Sequence, residues 1–573
     1  MTTSDEPAAP TTPIPDTVAP LPPPPDPLVP EPIISHPSPS HPRPNTTYSG
    51  ILHIGQSLSV GVCAATTKAI PPQPYALQLH DSSSRYDLQN DSNGETETLS
   101  LVELSEPIRP WTRGALPWPK NLEGVTPAEG FARQVEALRK KSQHKHERST
   151  KEDALVTVHT LVGRGGEGMV GIKKNGAYAF MSEGYPTPFL PDGEGSRNAY
   201  DASMYEARAI TRLLRPAVAE NRFSYDVLLL THGETDASIL NPHYLSEMTK
   251  LQAGYAQDLK ALTGQNHEPI MLTTQQSTCP GQAGVISPQM QMQWRVQAES
   301  EGKVVCIGPK YQYGYSEDTL HMPAGGYRRL GEKMAQVYWT IVHEGKSWSP
   351  LEPRKLSRSG NVVKVEMNVM FPPLRWDEHL PKPHQQGRLA AWKEGRGFEV
   401  RNDKGQAVEI ESVKIADDGV SIELTLGKTA PGESERLSIA YAMTADEDGC
   451  NGCLAKGRIG RLCDSDAFAS ASPTEVEVDV VKGSRDFKGG DELLALYDAI
   501  QPGEYVLTDM IPERPDHGKF DRRWEGESGK MKLTFTHNQR NYCVQFIGDV
   551  GDSPWDAPFT GFEESLTKEG LSW

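Results

Sequence analysis

At 573 residues the chain is long enough for two or three domains. Lys+Arg 58 against Asp+Glu 76 leaves a net charge of −18, and an acidic chain without a long basic run argues against nucleic acid as the main ligand. No window approaches the ~18 apolar residues of a membrane span, and Met1 to Glu6 lacks the basic start and apolar core of a secretory signal, so the expectation is a soluble chain with no visible Sec address and no membrane partner.

Residues 1–47 hold runs such as Pro22-Pro23-Pro24-Pro25 and His36-Pro37-Ser38-Pro39. Proline fixes φ and supplies no amide donor, so this arm favours extended polyproline II, cannot build a core and is expected to be disordered. From Tyr48 the texture changes. Gly50 to Ile54 reads as a buried strand, ending in Gly55-Gln56-Ser57. Glycine turns a chain sharply there because it lacks a Cβ. A long polar passage, 80–122, reads as a surface loop or lid, with Trp111 and Trp118 as sugar-stacking platforms or buried anchors. Thr126-Pro127-Ala128-Glu129 carries the signature of a capping box and starts a helix with Phe131, Val135 and Leu138 on its apolar face. The basic cluster from Arg139 to Arg148 reads as a solvated helix end or loop.

A second strand, Ala154 to Val162, ends in the glycine-rich Gly163-Arg164-Gly165-Gly166-Glu167-Gly168, which lacks the Lys-Ser/Thr of a phosphate loop. A helix follows from about Tyr200 to Arg215. The third strand, Asp226 to Thr231, ends in His232-Gly233-Glu234-Thr235-Asp236, and a helix spans roughly 242–262. The fourth, Pro269 to Thr274, ends at Gln275-Gln276-Ser277. The fifth, Lys303 to Gly308, leads to Glu317-Asp318-Thr319-Leu320-His321 and a helix from Pro323. Strands alternating with helices over 50–342 imply a parallel α/β sheet covered on both faces, with its site along the C-terminal strand ends. After 343, period-two runs such as Val420-Ser421-Ile422-Glu423-Leu424 suggest an antiparallel β-sandwich. Asp491 to Ile500 reads as helical, and Lys530 to His537 and Tyr542 to Ile547 as strands.

Of seven cysteines, Cys63, Cys279, Cys306 and Cys543 are isolated and read as small buried hydrophobes. Cys450-x-x-Cys453 with Cys463 lacks a nearby fourth ligand, so loop thiols or one local disulfide are expected rather than zinc. No cofactor and no metal is called for.

Ester hydrolysis needs a nucleophile, a base, a group to orient the base, and oxyanion donors. Ser57 suits the first role. Asp318 and His321 are three apart, so the carboxylate can hold the imidazole. Gly55-Gln56-Ser57, the glycine-rich turn, His232-Gly233-Glu234-x-Asp236 and Asp318-x-x-His321 fall in the order of the four blocks of the SGNH (GDSL-like) hydrolase superfamily. The Gly-Gln-Ser start with Gly-Glu-x-Asp most resembles its sialate O-acetylesterase/acetylxylan-esterase-like branch. The match covers roughly 48–342, about half the chain.

The resemblance implies a three-layer, flavodoxin-like α/β domain and a metal-free serine esterase that removes O-acetyl groups from carbohydrate through an acyl-enzyme. It makes Ser57 the nucleophile, His321 the base and Asp318 its orienting carboxylate. The oxyanion donors would be the Ser57 and Gly166 amides, with Gly165 alongside, and the His232 side chain. The branch more often has Gln at that last position, and an imidazole can replace it only in the right tautomer. Gln56, Glu234 and Asp236 would support the site. Residues 343–573 resemble the β-rich appendage of such enzymes, with 467–535 as an insertion and a return near Val544. A glycan-binding or attachment protein on an inactive SGNH fold is the alternative from another class, and a lysophospholipase would share the triad.

Overall fold

The computed structural model describes residues 42–43, 45–62, 64, 70–81, 99–106, 125–145, 154–163, 165–174, 199–277, 288–316, 320–378, 380–385, 387–428, 430–432, 435–444, 458–472, 474–480, 504–512 and 529–550. The proline-rich arm before 42, Trp111, Trp118, Cys450, Cys453 and the helix expected over 491–500 lie outside them.

The first strand, β1 (Thr46–Gly55), begins two residues inside the expected arm and sits in the middle of a seven-stranded sheet. Its neighbours are β4 (Ala154–Gly163) and β5 (Phe223–Thr231), both parallel to it. Beyond β5 come β6 (Ile270–Gln275) and β7 (Val304–Pro309), and beyond β4 come β2 (Ile70–Asp81) and β3 (Leu99–Glu106). Only β3 runs antiparallel, against β2. It falls inside the passage read as a loop or lid. Its alternation Leu99-Ser100-Leu101-Val102-Glu103-Leu104 is a strand pattern that the surrounding polar residues conceal.

Alternate residues explain why the sheet is covered twice. Leu52, Ile54, Leu228, Leu230 and Met271 face one core with α3 (Ala199–Leu213), α6 (Tyr244–Thr263) and α7 (Pro288–Glu299). Ile51, Val227, Leu229, Leu272 and Ile307 face the other, with α1 (Pro127–Lys145) and α8 (Ala324–Tyr338). Short helices α2 (Met169–Ile172), α4 (Arg215–Ala219) and α5 (Glu234–Ser238) fill strand exits and turns. At the start of α1, Thr126 Oγ1 accepts from the Ala128 amide at 3.1 Å. The reciprocal half of the expected capping box is absent. The Thr126 amide donates to Glu106 of β3 at 2.7 Å, while Glu129 accepts from Arg328 at 2.9 Å.

The β-rich half has two antiparallel sheets around one core. The four-stranded sheet contains β8 (Glu352–Ser359), β9 (Val362–Asn368), β12 (Ile410–Ile415) and β13 (Ser421–Leu426). The three-stranded sheet contains β11 (Phe398–Asn402), β14 (Leu437–Tyr441) and β19 (Phe546–Asp549). Val363, Val365, Ile422 and Leu424 meet Val400, Ile439 and Phe546 between them. Two short strands, β10 (Arg375–Trp376) and β15 (Leu462–Cys463), pair separately. A third antiparallel sheet, of β16 (Thr474–Val480), β17 (Glu504–Pro512) and β18 (Gly529–Asn538), occupies the 467–535 segment and the residues just after it. Cys306, Cys463 and Cys543 are free buried thiols. Among the described residues no helix is long and apolar enough to cross a membrane.

The halves are joined by buried polar groups. Lys333 of α8 donates to Gln336 at 2.6 Å, to the Gln539 carbonyl at 2.8 Å and to Asn541 at 3.0 Å, under the rings of Trp348 and Phe468. Its neighbour Glu332 accepts from Ser470 Oγ at 2.8 Å and the Ser472 amide at 3.0 Å. From Ser40 onward the chain is accordingly one compact unit, and the texture change near 343 separates two cores rather than two bodies.

Two features of the α1 face make testable demands. A Cβ at Gly130 would lie 2.0 Å from the Arg328 carbonyl oxygen, and one at Gly331 would lie 1.9 Å from that of Pro127, so α1 and α8 touch backbone to backbone. Gly331→Ala forces them apart and should lower the unfolding free energy by at least the ~1–3 kcal/mol typical of overpacking, read as a lower urea midpoint. Beside this contact, His53 Nε2 and His159 Nδ1 lie 3.0 Å apart, buried edge-on to Phe131. Burial pushes both imidazoles down from the usual 6.5, His159 to about 3. A base whose folded pKa is depressed is protonated first in the unfolded chain. Its stabilising contribution is therefore complete above pH 6.5 and drains away as pH falls towards 3. Each such group adds up to about 1.4 kcal/mol per pH unit across its window. The thermal midpoint should fall over that range, with a shallower slope in His53→Gln/His159→Gln.

Candidate active site

The strand order places β1 where the chain's direction of travel reverses. From β1 the chain goes out to β2 and β3 and back to β4 on one side, then crosses to β5 on the other. Connections there leave in opposite directions, and the crevice that opens at the strand ends is where such sheets bind ligands. Gly55 lets β1 end against β5. Its φ is +145°, and a Cβ would sit 2.1 Å from the Thr231 carbonyl oxygen. The Gln56 amide donates to that same oxygen at 3.3 Å, and a single 3₁₀ turn, Ser57–Ser59, follows. Ser59 Oγ closes the turn on the Gln56 carbonyl at 2.7 Å. Gly163 ends β4 beside it, because a Cβ there would be 2.0 Å from Ser59 Oγ.

Ser57 Oγ lies 2.7 Å from His321 Nε2. The imidazole comes from the β7 exit, 264 residues away, on a loop that is held where the Ser316 amide donates to the His321 carbonyl at 2.7 Å. A serine hydroxyl and an imidazole at this distance have the geometry that a nucleophile–base pair requires, with the hydroxyl donating when the facing ring nitrogen is unprotonated. Asp318 lies outside the described residues, with Glu317 and Thr319.

Gly165 and Gly166 form the exposed turn after β4, Gly166 at φ +73° with open space where a Cβ would be. His232 is not turned toward that space. Its Nε2 lies 3.0 Å from the Glu167 carbonyl, which can only accept, so Nε2 carries the proton. Nδ1 then accepts from the Tyr244 hydroxyl at 3.1 Å, and the ring stacks on Tyr244. The N–H expected at an oxyanion is thus given to the protein's own glycine-rich turn. Burial lowers the His232 pKa, against the pull of Asp236 and Glu234. Asp236 grips the same turn from its other end, accepting from the Met169 amide at 2.8 Å and from Asn241 at 2.6 Å.

Glu234 lies fully inside. One oxygen accepts from Gln56 Nε2 at 2.8 Å and the other pairs with the Lys310 ammonium, both charged groups being 2% exposed. Burial draws the Lys310 pKa down, and Glu234 opposes this. Neither Lys310 nor Gln293 figures among the residues that the sequence patterns single out. Gln293 of α7 holds the His232 carbonyl at 2.7 Å and the Gln276 amide at 2.7 Å, packed where a Cβ on Gly233 would stand. The available signal was slight: a lone lysine after Gly308-Pro309, and glutamines at every second position from 289 to 293. Among the described residues no His, Cys, Asp or Glu group is arranged to hold a metal. A concavity of about 530 Å³, lined by Trp294, Arg295, Glu352 and Asn368, lies at the opposite edge of the sheet, where α7 ends.

No protein-family model matches the chain, and no curated protein matches it. Similar solved structures include Est24, a carbohydrate acetylesterase from Sinorhizobium meliloti, at 11% identity over 50% of this chain and 97% of that one, with a TM-score of 0.23. Another is the S-layer protein rSbsC(31-844), at 11% identity over 62% of this chain and 41% of that one, with a TM-score of 0.14. A third, the N-terminal part of the bacterial S-layer protein SbsC, matches at 11% identity over 62% and 70% with a TM-score of 0.13. Likenesses at these TM-scores decide neither fold nor chemistry. The chain is distantly similar to a carbohydrate acetylesterase over half its length, and its α/β sheet and antiparallel sheets stand on its own geometry.

Proposed function

We propose that this chain is a serine esterase of the SGNH type that removes O-acetyl groups from a carbohydrate. The observation that supports it is the 2.7 Å contact between Ser57 Oγ and His321 Nε2 at the sheet's switch point. In the first step Ser57 Oγ bonds to the ester carbonyl carbon while its proton passes to His321. The tetrahedral oxyanion collapses, the C–O bond to the sugar breaks, and His321 returns the proton to the departing hydroxyl. Water, with His321 again as base, then releases acetate from Ser57.

Backbone N–H groups of Ser57 and Gly166 are the proposed oxyanion donors, each worth about 3 kcal/mol at the transition state. His232 and Asp236 act one step back, by fastening the turn that carries Gly166. Asp318, three residues before His321, is the proposed orienting carboxylate.

Ser57→Ala should abolish p-nitrophenyl acetate turnover and fluorophosphonate labelling while leaving the thermal midpoint unchanged. Full activity in that variant would overturn the proposal. Retention on an acetylated glycan without labelling of the wild type would favour a glycan-binding protein instead.

A further inference from the structure

We propose that Lys310 is a positioning residue through which the C-terminal β-rich region holds the nucleophile loop in place; this rests on the serine-esterase reading. Three strand exits converge at one buried carboxylate. Gln56 leaves β1, Glu234 leaves β5, and Lys310 leaves β7. Gln56 Nε2 donates to one Glu234 oxygen at 2.8 Å, and the Lys310 ammonium pairs with the other. All three residues are 2% exposed.

Backbone pairing sets the β1 exit against that of β5 but not against that of β7. Two strands, β5 and β6, lie between β1 and β7, so no ladder bond joins the Ser57 turn to the loop that brings His321. The Gln56–Glu234–Lys310 chain spans that gap with side chains. A buried ion pair is a poor choice for stability alone, because desolvation offsets its attraction, but it holds partners in one register.

The residue next to Lys310 carries the link outward. Tyr311 is fully buried, its amide donates to Ser277 Oγ at 3.2 Å and its hydroxyl donates to the Cys543 carbonyl at 2.7 Å. Two residues on, the Gln545 amide donates to Gln275 Oε1 and Gln275 Nε2 donates back to the Gln545 carbonyl, both at 2.7 Å. The segment Tyr542 to Gln545 is therefore fastened to the exits of β6 and β7. Lys310 and His321 both follow β7 in the chain, on the side of the gap away from Ser57.

The test uses the full chain. Lys310→Met alone leaves the Glu234 charge buried and unpaired and is liable to unfold, so the informative variant is Lys310→Met/Glu234→Gln, with Tyr311→Phe as a milder break further out. Turnover of p-nitrophenyl acetate, the rate of fluorophosphonate labelling and the thermal midpoint are measured together. The double variant should stay folded, keep KM within twofold, and lose at least tenfold in both kcat and labelling rate. Tyr311→Phe should lose three- to tenfold in the same direction. A folded double variant with wild-type kcat, or a loss carried by KM or by the unfolded fraction, overturns the inference while the wild type still labels. A wild type that neither labels nor turns over ester overturns the esterase reading, and this inference with it.

Discussion

Glu234 places a carboxylate where it is 2% exposed, and three strand exits are arranged around it. A carboxylate in that position must be met by donors, since a buried unpaired charge is among the costliest features a fold can contain. The donors come from Gln56, immediately before Ser57, and from Lys310, at the β7 exit on the way to His321. Satisfying one buried group therefore sets the spacing of two others that have to meet at hydrogen-bond distance. Ser57 Oγ and His321 Nε2 lie 2.7 Å apart at the same strand ends.

The same logic runs through the neighbouring turn. Glycines at 163, 165, 166 and 168 leave the backbone free to adopt many shapes, and freedom alone cannot aim an amide. His232 and Asp236 supply the constraint, one from each side, His232 by donating to the Glu167 carbonyl and Asp236 by accepting from the Met169 amide. A fully buried neutral imidazole does this well. Its two nitrogens differ in role, so the tautomer is decided by the carbonyl it faces. The β-rich half contributes in kind. Its returning segment meets the β6 and β7 exits through side-chain-to-backbone bonds, and Lys333 and Glu332 of α8 anchor it elsewhere.

How much of this was legible depends on whether a residue's partner is near it in the chain. Gly50 to Ile54, Asp226 to Thr231 and Lys303 to Gly308 announce themselves, because a parallel strand buried on both faces must be apolar throughout. Ser57 and His321 follow from their place at strand exits. Other elements hide because their buried faces are polar. In α7, Gln289, Gln291 and Gln293 are buried, so the helix lacks an apolar stripe that a periodicity could reveal. In β3 the flanking polar residues mask a short alternation. The capping box at Thr126 reads correctly as a helix start, yet its amide goes to Glu106, twenty residues earlier on another strand.

The amino-acid sequence by itself determined the alternation of strands and helices, the change to antiparallel texture after 343, and the residue types gathered at the strand exits. These follow from local rules: periodicity, turn chemistry and the need to bury apolar faces. Only the tertiary structure decided what each polar residue at those exits does. It turned His232 inward to the Glu167 carbonyl, paired Glu234 with a lysine 76 residues away, and tied Tyr311 to Cys543 across 232 residues. A hydrogen-bonding side chain takes whichever partner folding brings within about 3 Å, and that identity is a property of the packed chain rather than of any stretch of it.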